Sequence, residues 1–141
     1  MRKTLIQGEG KMKKYARVLI LAAAICLFTG GMVYAELTVS RASFCEDIEE
    51  REPVNSAESF PATIEQVYCF AEIQGAEPNT TIKHIWYYEG AKVAEIDMVI
   101  NGPRWRTYSY KTITPDMKGK WGVEITDSES RVLKPLSMEI E

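Results

Sequence analysis

Apolar and polar residues alternate with a period of two along most of the chain after residue 36. Successive side chains of a β-strand point to opposite faces, so such alternation predicts half-buried strands. It is clearest in "TIKHIWYYEGAKVAEIDMVI", where two alternating runs flank "EGAK" and Gly90 can adopt a positive φ. This segment predicts a hairpin with His84, Trp86 and Tyr88 on one face of its first strand, and with Ala94, Ile96, Met98 and Ile100 facing the core from its second.

Two strands are predicted before this hairpin, in "LTVSRASFC" and "TIEQVYCFAEI". In the first, strict alternation places Leu37, Val39, Arg41, Ser43 and Cys45 on one face. The segment between them, "EDIEEREPVNSAESFPA", is charged and contains two prolines, which disfavour helix and withhold sheet hydrogen bonds. It is therefore predicted to be a long, irregular connection.

Three more strands are predicted towards the end of the chain, in "WRTYSYKTI", "WGVEIT" and "VLKPLSMEI". Trp121, Val123 and Ile125 alternate with polar or small residues and are core candidates, while Pro135 predicts an edge or bulged strand. Seven short strands without a helical period predict an all-β fold, an antiparallel immunoglobulin-like β-sandwich. A small β-barrel is the alternative.

A leader precedes this domain. Basic residues dominate the first seventeen positions, and the uncharged apolar run "VLILAAAICLFT" and the small-residue segment "GGMVYA" follow. This order is typical of a signal peptide and predicts cleavage before Glu36. Residues 1–35 are thus a predicted signal peptide, and residues 36–141 a single domain that is periplasmic or otherwise exported. The alternative is an uncleaved N-terminal anchor that holds the domain on the inner membrane, facing the periplasm, and is its sole membrane attachment.

Removal of the leader leaves an acidic domain. Residues 36–141 contain eleven basic and nineteen acidic residues, a formal net charge of −8. Such a charge opposes binding to phosphate backbones, so no nucleic-acid partner is predicted. Two cysteines remain, Cys45 and Cys69, in a compartment where disulfides persist. They are predicted to form a disulfide that would stabilise the fold by roughly 3 kcal/mol in the entropic model. Two separate buried thiols are the alternative.

Five segments of this domain resemble a known bacterial family. They are "CEDIEEREP", "FAEI", "HIWYYEGAKVAEI", "WRTYSYKTI" and "GKWGVEITDSESRVL", in the order and spacing of domain of unknown function 2914. The resemblance covers nearly all of residues 36–141 and implies an exported or membrane-attached protein without an assigned activity, so it carries over no catalytic residue. One departure is that Ser128 to Ser130 stand where members tend to have Gly, which predicts a longer or bulged final hairpin.

Candidate enzyme chemistry is sparse in this sequence. His84 is the single histidine and lies in a predicted strand, without a nucleophile or phosphate-binding motif beside it. It is interpreted as a strand histidine that pairs with a carboxylate or lies half-buried beside Trp86. The acidic cluster near Glu46 lacks the spacing of a calcium loop and is interpreted as a solvated turn. The prediction is a protein that is not an enzyme, with no catalytic residues, metal or cofactor.

The aromatic and basic strand "WRTYSYKTI" carries the candidate binding surface. If Trp105 is buried, alternation places Arg106, Tyr108 and Tyr110 on the opposite face, and these three residues are called the outward ladder. This arrangement allows Arg106 to lie across a tyrosine ring. The ladder suits a protein partner in the envelope or a carbohydrate, or it only stiffens a strand. The predicted function is a non-catalytic interaction or structural module, with a carbohydrate-binding module as the alternative.

Overall fold

The computed structural model describes residue 31 and residues 35–141. The predicted signal peptide, residues 1–35, lies outside the described residues except for Gly31 and Ala35. The strands, in chain order, are β1 (Thr38–Cys45), β2 (Asp47–Glu49), β3 (Glu52–Val54), β4 (Ser59–Phe60), β5 (Gln66–Gln74), β6 (Thr80–Tyr88), β7 (Ala91–Ile100), β8 (Arg104–Thr112), β9 (Gly119–Asp127) and β10 (Val132–Ile140).

Two sheets form the body of the domain. One has three strands in the order β1-β5-β8, and the other has five in the order β4-β10-β9-β6-β7. All neighbours pair antiparallel except the short parallel pair of β4 with β10. The seven long strands, β1 and β5 to β10, have the connectivity of an immunoglobulin-like sandwich, and the sheets do not close into a barrel. The predicted fold class is confirmed.

The two sheets enclose one apolar core. Trp86 of β6 lies at its centre with no exposed surface, and its ring centroid is 5.9 Å from that of Phe44 on β1. Trp121, Val123 and Ile125 of β9 are buried beside it, as their alternation predicts. Tyr88 stacks on Trp121 with ring centroids 4.6 Å apart. The hairpin β6–β7 turns through Glu89 and Gly90, which both have positive φ, as a tight two-residue turn requires.

The predicted irregular connection between the first two long strands is in part regular. Its first half forms the hairpin β2–β3, with Ile48 opposite Pro53, and its second half contributes β4. The turn of β2–β3 places Glu50 and Arg51 at φ of 50° and 65°. Residues other than glycine seldom adopt this conformation, so the sequence has no turn signal here. The hairpin lies outside the two main sheets as a separate two-stranded sheet.

A bulge corrects the predicted face of β1. The register of β1 against β5 shifts between Val39 and Arg41. Val39 therefore packs on the core, whereas Arg41, Ser43 and Cys45 face away from it, and the strict alternation predicted from the sequence is interrupted. The bulge brings Arg41 to the face that carries the candidate site.

The final hairpin has the irregularity that its serines predict. Ser130 adopts φ of 65° in the turn, and the register of β10 against β9 shifts between Val132 and Lys134. Pro135 lies in the part of β10 that β4 does not reach, since β4 pairs only with Glu139 and Ile140. This part of β10 is therefore an edge, as predicted for a strand with an internal proline.

Candidate functional site

The outer face of the three-stranded sheet carries the outward ladder. Directly opposed residues of antiparallel strands share a face, so the register defines rows of side chains across β1, β5 and β8. Arg106, Tyr108 and Tyr110 each end one of these rows on β8. The three rows are Arg41–Glu72–Arg106, Ser43–Phe70–Tyr108 and Cys45–Tyr68–Tyr110.

Strand β8 divides its side chains as the sequence predicts. Trp105 is half-buried and packs on the core, and Ser109 is buried. On the other face Tyr108 and Tyr110 are each 50% exposed. The ladder is therefore surface, not core.

Tyr68 joins the two tyrosines of the ladder into an aromatic cluster. Its ring centroid lies 5.8 Å from that of Tyr108 and 5.6 Å from that of Tyr110. The ring planes meet at 61° and 44°, so the rings pack edge-on and tilted rather than side by side in one plane. The cluster presents ring edges, faces and hydroxyl groups together, a mixed surface typical of protein contacts.

Glu72 organises the basic end of the site. Its side chain is only 3% exposed, although it points to the outer face. Ser40 Oγ donates to Oε1 at 2.9 Å, while Arg41 and Arg104 donate to Oε2 at 3.2 and 3.3 Å. The Ser40 hydrogen bond, followed by those from the two arginines, lowers the pKa of Glu72 to about 2. This carboxylate is ionised at neutral pH and holds the guanidinium groups in place.

The hairpin β2–β3 reaches the same cluster through Glu52. Its carboxylate accepts two parallel hydrogen bonds from Arg41 at 3.0 Å each and one from Arg106 Nη1 at 2.6 Å. Arg106 Nε also lies 3.6 Å from Glu72 Oε2. The expected stacking of Arg106 on a tyrosine ring is not observed, because these carboxylates engage its guanidinium. Among the described residues it is Arg41 that lies over a ring, 5.2 Å from the centroid of Phe70.

A cleft opens between this hairpin and β8. It has a volume of about 200 Å³ and a floor of Phe70, which is buried on the outer face beneath the hairpin. Its walls combine apolar side chains with two guanidinium groups. The lining residues are Ile48, Arg51, Phe70, Trp105, Arg106, Thr107 and Tyr108. This combination suits an apolar side chain accompanied by a negative charge.

His84 belongs to β6 of the five-stranded sheet and lies in the core between the two sheets, away from the outer face. It has no exposed surface, and its Nδ1 is 2.6 Å from Ser109 Oγ, which also accepts a hydrogen bond from Trp86 Nε1 at 3.0 Å. His84 Nε2 has no hydrogen-bond partner among the described residues. Burial lowers the pKa of His84 to about 4. The expected carboxylate partner is thus replaced by Ser109, and His84 is fully rather than half buried beside Trp86.

Cys45 and Cys69 are both free and buried. Phe44 opposes Cys69, and Cys45 opposes Tyr68, so the thiols leave opposite faces of the same sheet. A bond between them would require a shift of the register by one residue, and the predicted disulfide is absent from the structure. The alternative of two separate buried thiols describes what is observed. Burial raises the pKa of Cys45 to about 11 and that of Cys69 further, which keeps both protonated.

Neither a metal cluster nor a membrane-spanning helix is present in the part of the chain that the structure describes. No group of three or more His, Cys, Asp or Glu side chains there is arranged to hold a metal ion. In the same residues no helix has the length and apolar character needed to cross a bilayer.

The comparison with known families adds one finding. Residues 79–140 match the family described as "Protein of unknown function (DUF2914)". The resemblance to DUF2914 is confirmed. The DUF2914 match spans β6 to β10, a shorter range than the resemblance predicted, and it does not reach "CEDIEEREP" or "FAEI". No curated protein matches the chain.

The DUF2914 match divides the candidate site. It contains the outward ladder of β8, whereas Glu72, Tyr68, Glu52 and Arg41 precede it. None of these four residues is predicted from the sequence as a site residue. Each belongs to the site only through pairing with distant strands, and no local spacing signals that pairing. A carboxylate within the apolar run "FAEI" was the one available hint, because a buried charge requires partners.

Proposed function

We propose that this chain is a non-catalytic, exported bacterial β-sandwich that acts as an interaction or structural module in the cell envelope. The observation that carries the proposal is the outer face of β1-β5-β8, where two half-exposed tyrosines adjoin a fixed arginine cluster. Tyr and Arg are enriched where proteins meet, and here carboxylates already hold the arginines in position. A partner would therefore meet a preorganised surface.

The environment of His84 supports the non-catalytic part of the proposal. An acid–base group must reach a reacting atom, whereas His84 is wholly buried and directed at Ser109. The Ser109 hydroxyl is itself buried and also contacts the Trp86 indole, which is the arrangement of a core polar network.

The carbohydrate alternative receives less support from the ring geometry. A pyranose packs best on a flat aromatic platform, and the ring of Tyr68 is inclined to those of Tyr108 and Tyr110 by 61° and 44°. We therefore retain carbohydrate binding as the second candidate only as an outcome of the test below.

The test uses the purified chain as bait in an envelope extract. A variant with Arg106→Ala, Tyr108→Ala and Tyr110→Ala should lose a partner that the parent captures, while its melting temperature falls no further than that of Arg106→Ala alone, which loses the ion pairs to Glu52 and Glu72. The matched control, Val93→Ala with Val99→Ala, removes exposed apolar side chains from β7 and should keep the partner. A larger loss of stability in the ladder variant would indicate that the ladder is structural. If free sugars released the captured material from the parent chain, the carbohydrate alternative would be favoured.

Export is proposed from the leader sequence and has a separate test. Mass spectrometry of the protein from its native host should find Glu36 at the N-terminus. A protein that keeps its first residues and fractionates with the inner membrane would establish the anchored alternative.

A further inference from the structure

Among the described strands, β8 pairs only with β5, and its other edge has no strand beside it. It is the last strand in the order β1-β5-β8, and its pairing with β5 runs from Arg104 to Thr112 without a register shift. Backbone hydrogen bonds at both ends fix the direction of its polar groups. Gly75 N donates to Pro103 O at 2.9 Å, and Ile113 N donates to Glu65 O at 2.7 Å. Odd-numbered positions of β8 therefore turn their backbone groups towards β5.

The even-numbered positions must then turn theirs outward, since backbone direction alternates along an antiparallel strand. The N–H and C=O groups of Arg106, Tyr108 and Tyr110 consequently lie on the open edge. Their side chains lie on the outer face. The three residues of the outward ladder thus offer backbone pairing and side-chain contacts in the same place, which is the arrangement used when a partner adds a strand to a sheet.

Two hollows flank Tyr108 along this edge. The cleft of about 200 Å³ over Phe70 lies on the Arg106 side. A second hollow of about 450 Å³ lies on the Tyr110 side, lined by Ile96 of β7 and by the end of β8. An added strand would place alternate side chains over such hollows, because its side chains also repeat every two residues.

The basic residues at this edge contrast with the acidic domain. Arg104, Arg106 and Lys111 belong to β8 and Arg51 lines the cleft beside it, whereas residues 36–141 carry a formal net charge of −8. The nearby carboxylates Glu52 and Glu72 are already engaged by arginines. Arg51 and Lys111 make no salt bridge with any described residue. The edge therefore has unused positive charge, which favours a partner that carries carboxylates.

We propose that β8 binds an extended acidic peptide segment as an additional strand. An apolar or aromatic side chain of that segment occupies the cleft over Phe70, and its carboxylates contact Arg51 and Arg106. This proposal deepens the interaction role proposed above and rests on it. A second copy of the chain fits the edge less well, because pairing β8 with β8 would bring two basic edges together.

The test measures direct binding of synthetic peptides to the full chain by fluorescence anisotropy. The probe is a short peptide that alternates Glu with Phe. We expect its affinity to exceed that of the matching Lys–Phe peptide by at least about tenfold, the equivalent of about 1.4 kcal/mol. A second control carries N-methyl groups on alternate amides, which removes the pairing donors and keeps the side chains. It should bind at least about tenfold more weakly than the parent peptide when methylated on the edge that faces β8.

Protein variants locate the site. Tyr108→Pro removes an outward N–H without removing a β5–β8 hydrogen bond, so it should abolish binding while the fold, followed by circular dichroism, is kept. Tyr108→Val keeps the N–H and should retain much of the affinity. Arg51→Ala should weaken binding about threefold to tenfold without changing stability, whereas the exposed Lys134→Ala on β10 should change neither.

Three results would overturn the proposal. They are equal binding of the Glu and Lys peptides, full binding of both N-methylated registers, and a dimer in sedimentation velocity that Tyr108→Pro dissociates. The last result would assign the edge to a second copy. Failure of peptide binding together with ladder-dependent capture from envelope extract would reject strand addition and leave the proposed function intact.

Discussion

The burial of His84 predicts that the folded domain loses stability on mild acidification. The ring is wholly buried, touches Ser109 through Nδ1 and leaves Nε2 without a partner among the described residues. A charged imidazolium would have to be stabilised there without a carboxylate in hydrogen-bond contact. Burial accordingly lowers the pKa of His84 from 6.5 to about 4.

The sign and size follow from proton linkage. In the unfolded chain His84 titrates near 6.5, and in the folded chain near 4, so the unfolded state binds more protons between these values. The stability that the neutral ring allows is fully present above pH 6.5 and is lost as the pH falls towards 4. The whole interval corresponds to about 3 kcal/mol, of which about 2 kcal/mol is lost between about pH 7 and pH 5.

The assay is urea unfolding at several pH values between 5 and 7, performed on the parent and on His84→Leu. Leucine does not titrate and leaves Ser109 bonded to Trp86, so the variant should show a much flatter dependence of unfolding free energy on pH. Carboxyl groups such as Glu72, whose pKa is lowered, add their own dependence mainly below about pH 5, and they do so equally in both proteins. The difference between the parent and His84→Leu therefore isolates the histidine.

A direct measurement complements the unfolding data. His84 is the single histidine of the chain, so an NMR titration of a tag-free sample reports one imidazole. Its signals should not move between pH 7 and pH 5. A titration midpoint near 6.5, or an identical pH slope in parent and His84→Leu, would refute the argument that burial of an incompletely bonded ring controls acid stability.

Three other substitutions or treatments test the remaining structure. Ser109→Ala removes the shared partner of two buried rings and should cost about 2–4 kcal/mol of unfolding free energy, measured in urea, and a loss below 1 kcal/mol would contradict the network. Glu72→Gln should lower the melting temperature several times more than Glu95→Gln on β7, because Glu72 is buried and holds three arginines, whereas Glu95 is exposed and holds two lysines. An alkylating reagent should leave Cys45 and Cys69 unlabelled in the folded protein and should label both after unfolding without added reductant, as measured by mass spectrometry. A requirement for reductant would show a disulfide.

Much of the fold is predictable because alternation is a local property. The seven long strands, the buried face of β9 and the outward side chains of β8 all follow from side-chain order within one segment. The edge position of Pro135 follows equally from the missing N–H. These features need no knowledge of which strand pairs with which.

The structure departs from the prediction where strand pairing or an unusual turn changes the local pattern. The bulge between Val39 and Arg41 reverses the face of the rest of β1, and this reversal separates Cys45 from Cys69. The hairpin β2–β3 is not predictable from local sequence because its turn uses Glu50 and Arg51 at positive φ in place of glycine or asparagine. Glu72 is not predictable for another reason, because its partners come from β1 and β8 and are not adjacent in sequence.

Strand β8 separates the packing of its sheet from the proposed binding surface. Its odd-numbered residues, Trp105 and Ser109 among them, pack inward or bond the core rings, and their backbone groups complete the ladder with β5. Its even-numbered residues direct both side chain and backbone to the surface. Changes at Tyr108 should therefore alter binding with little effect on stability, and changes at Ser109 the reverse. If substitutions at Tyr108 and at Ser109 both changed only stability, the exposed tyrosines would serve only to stiffen the strand. The comparison of Tyr108 with Ser109 therefore distinguishes an interaction surface from a structural one.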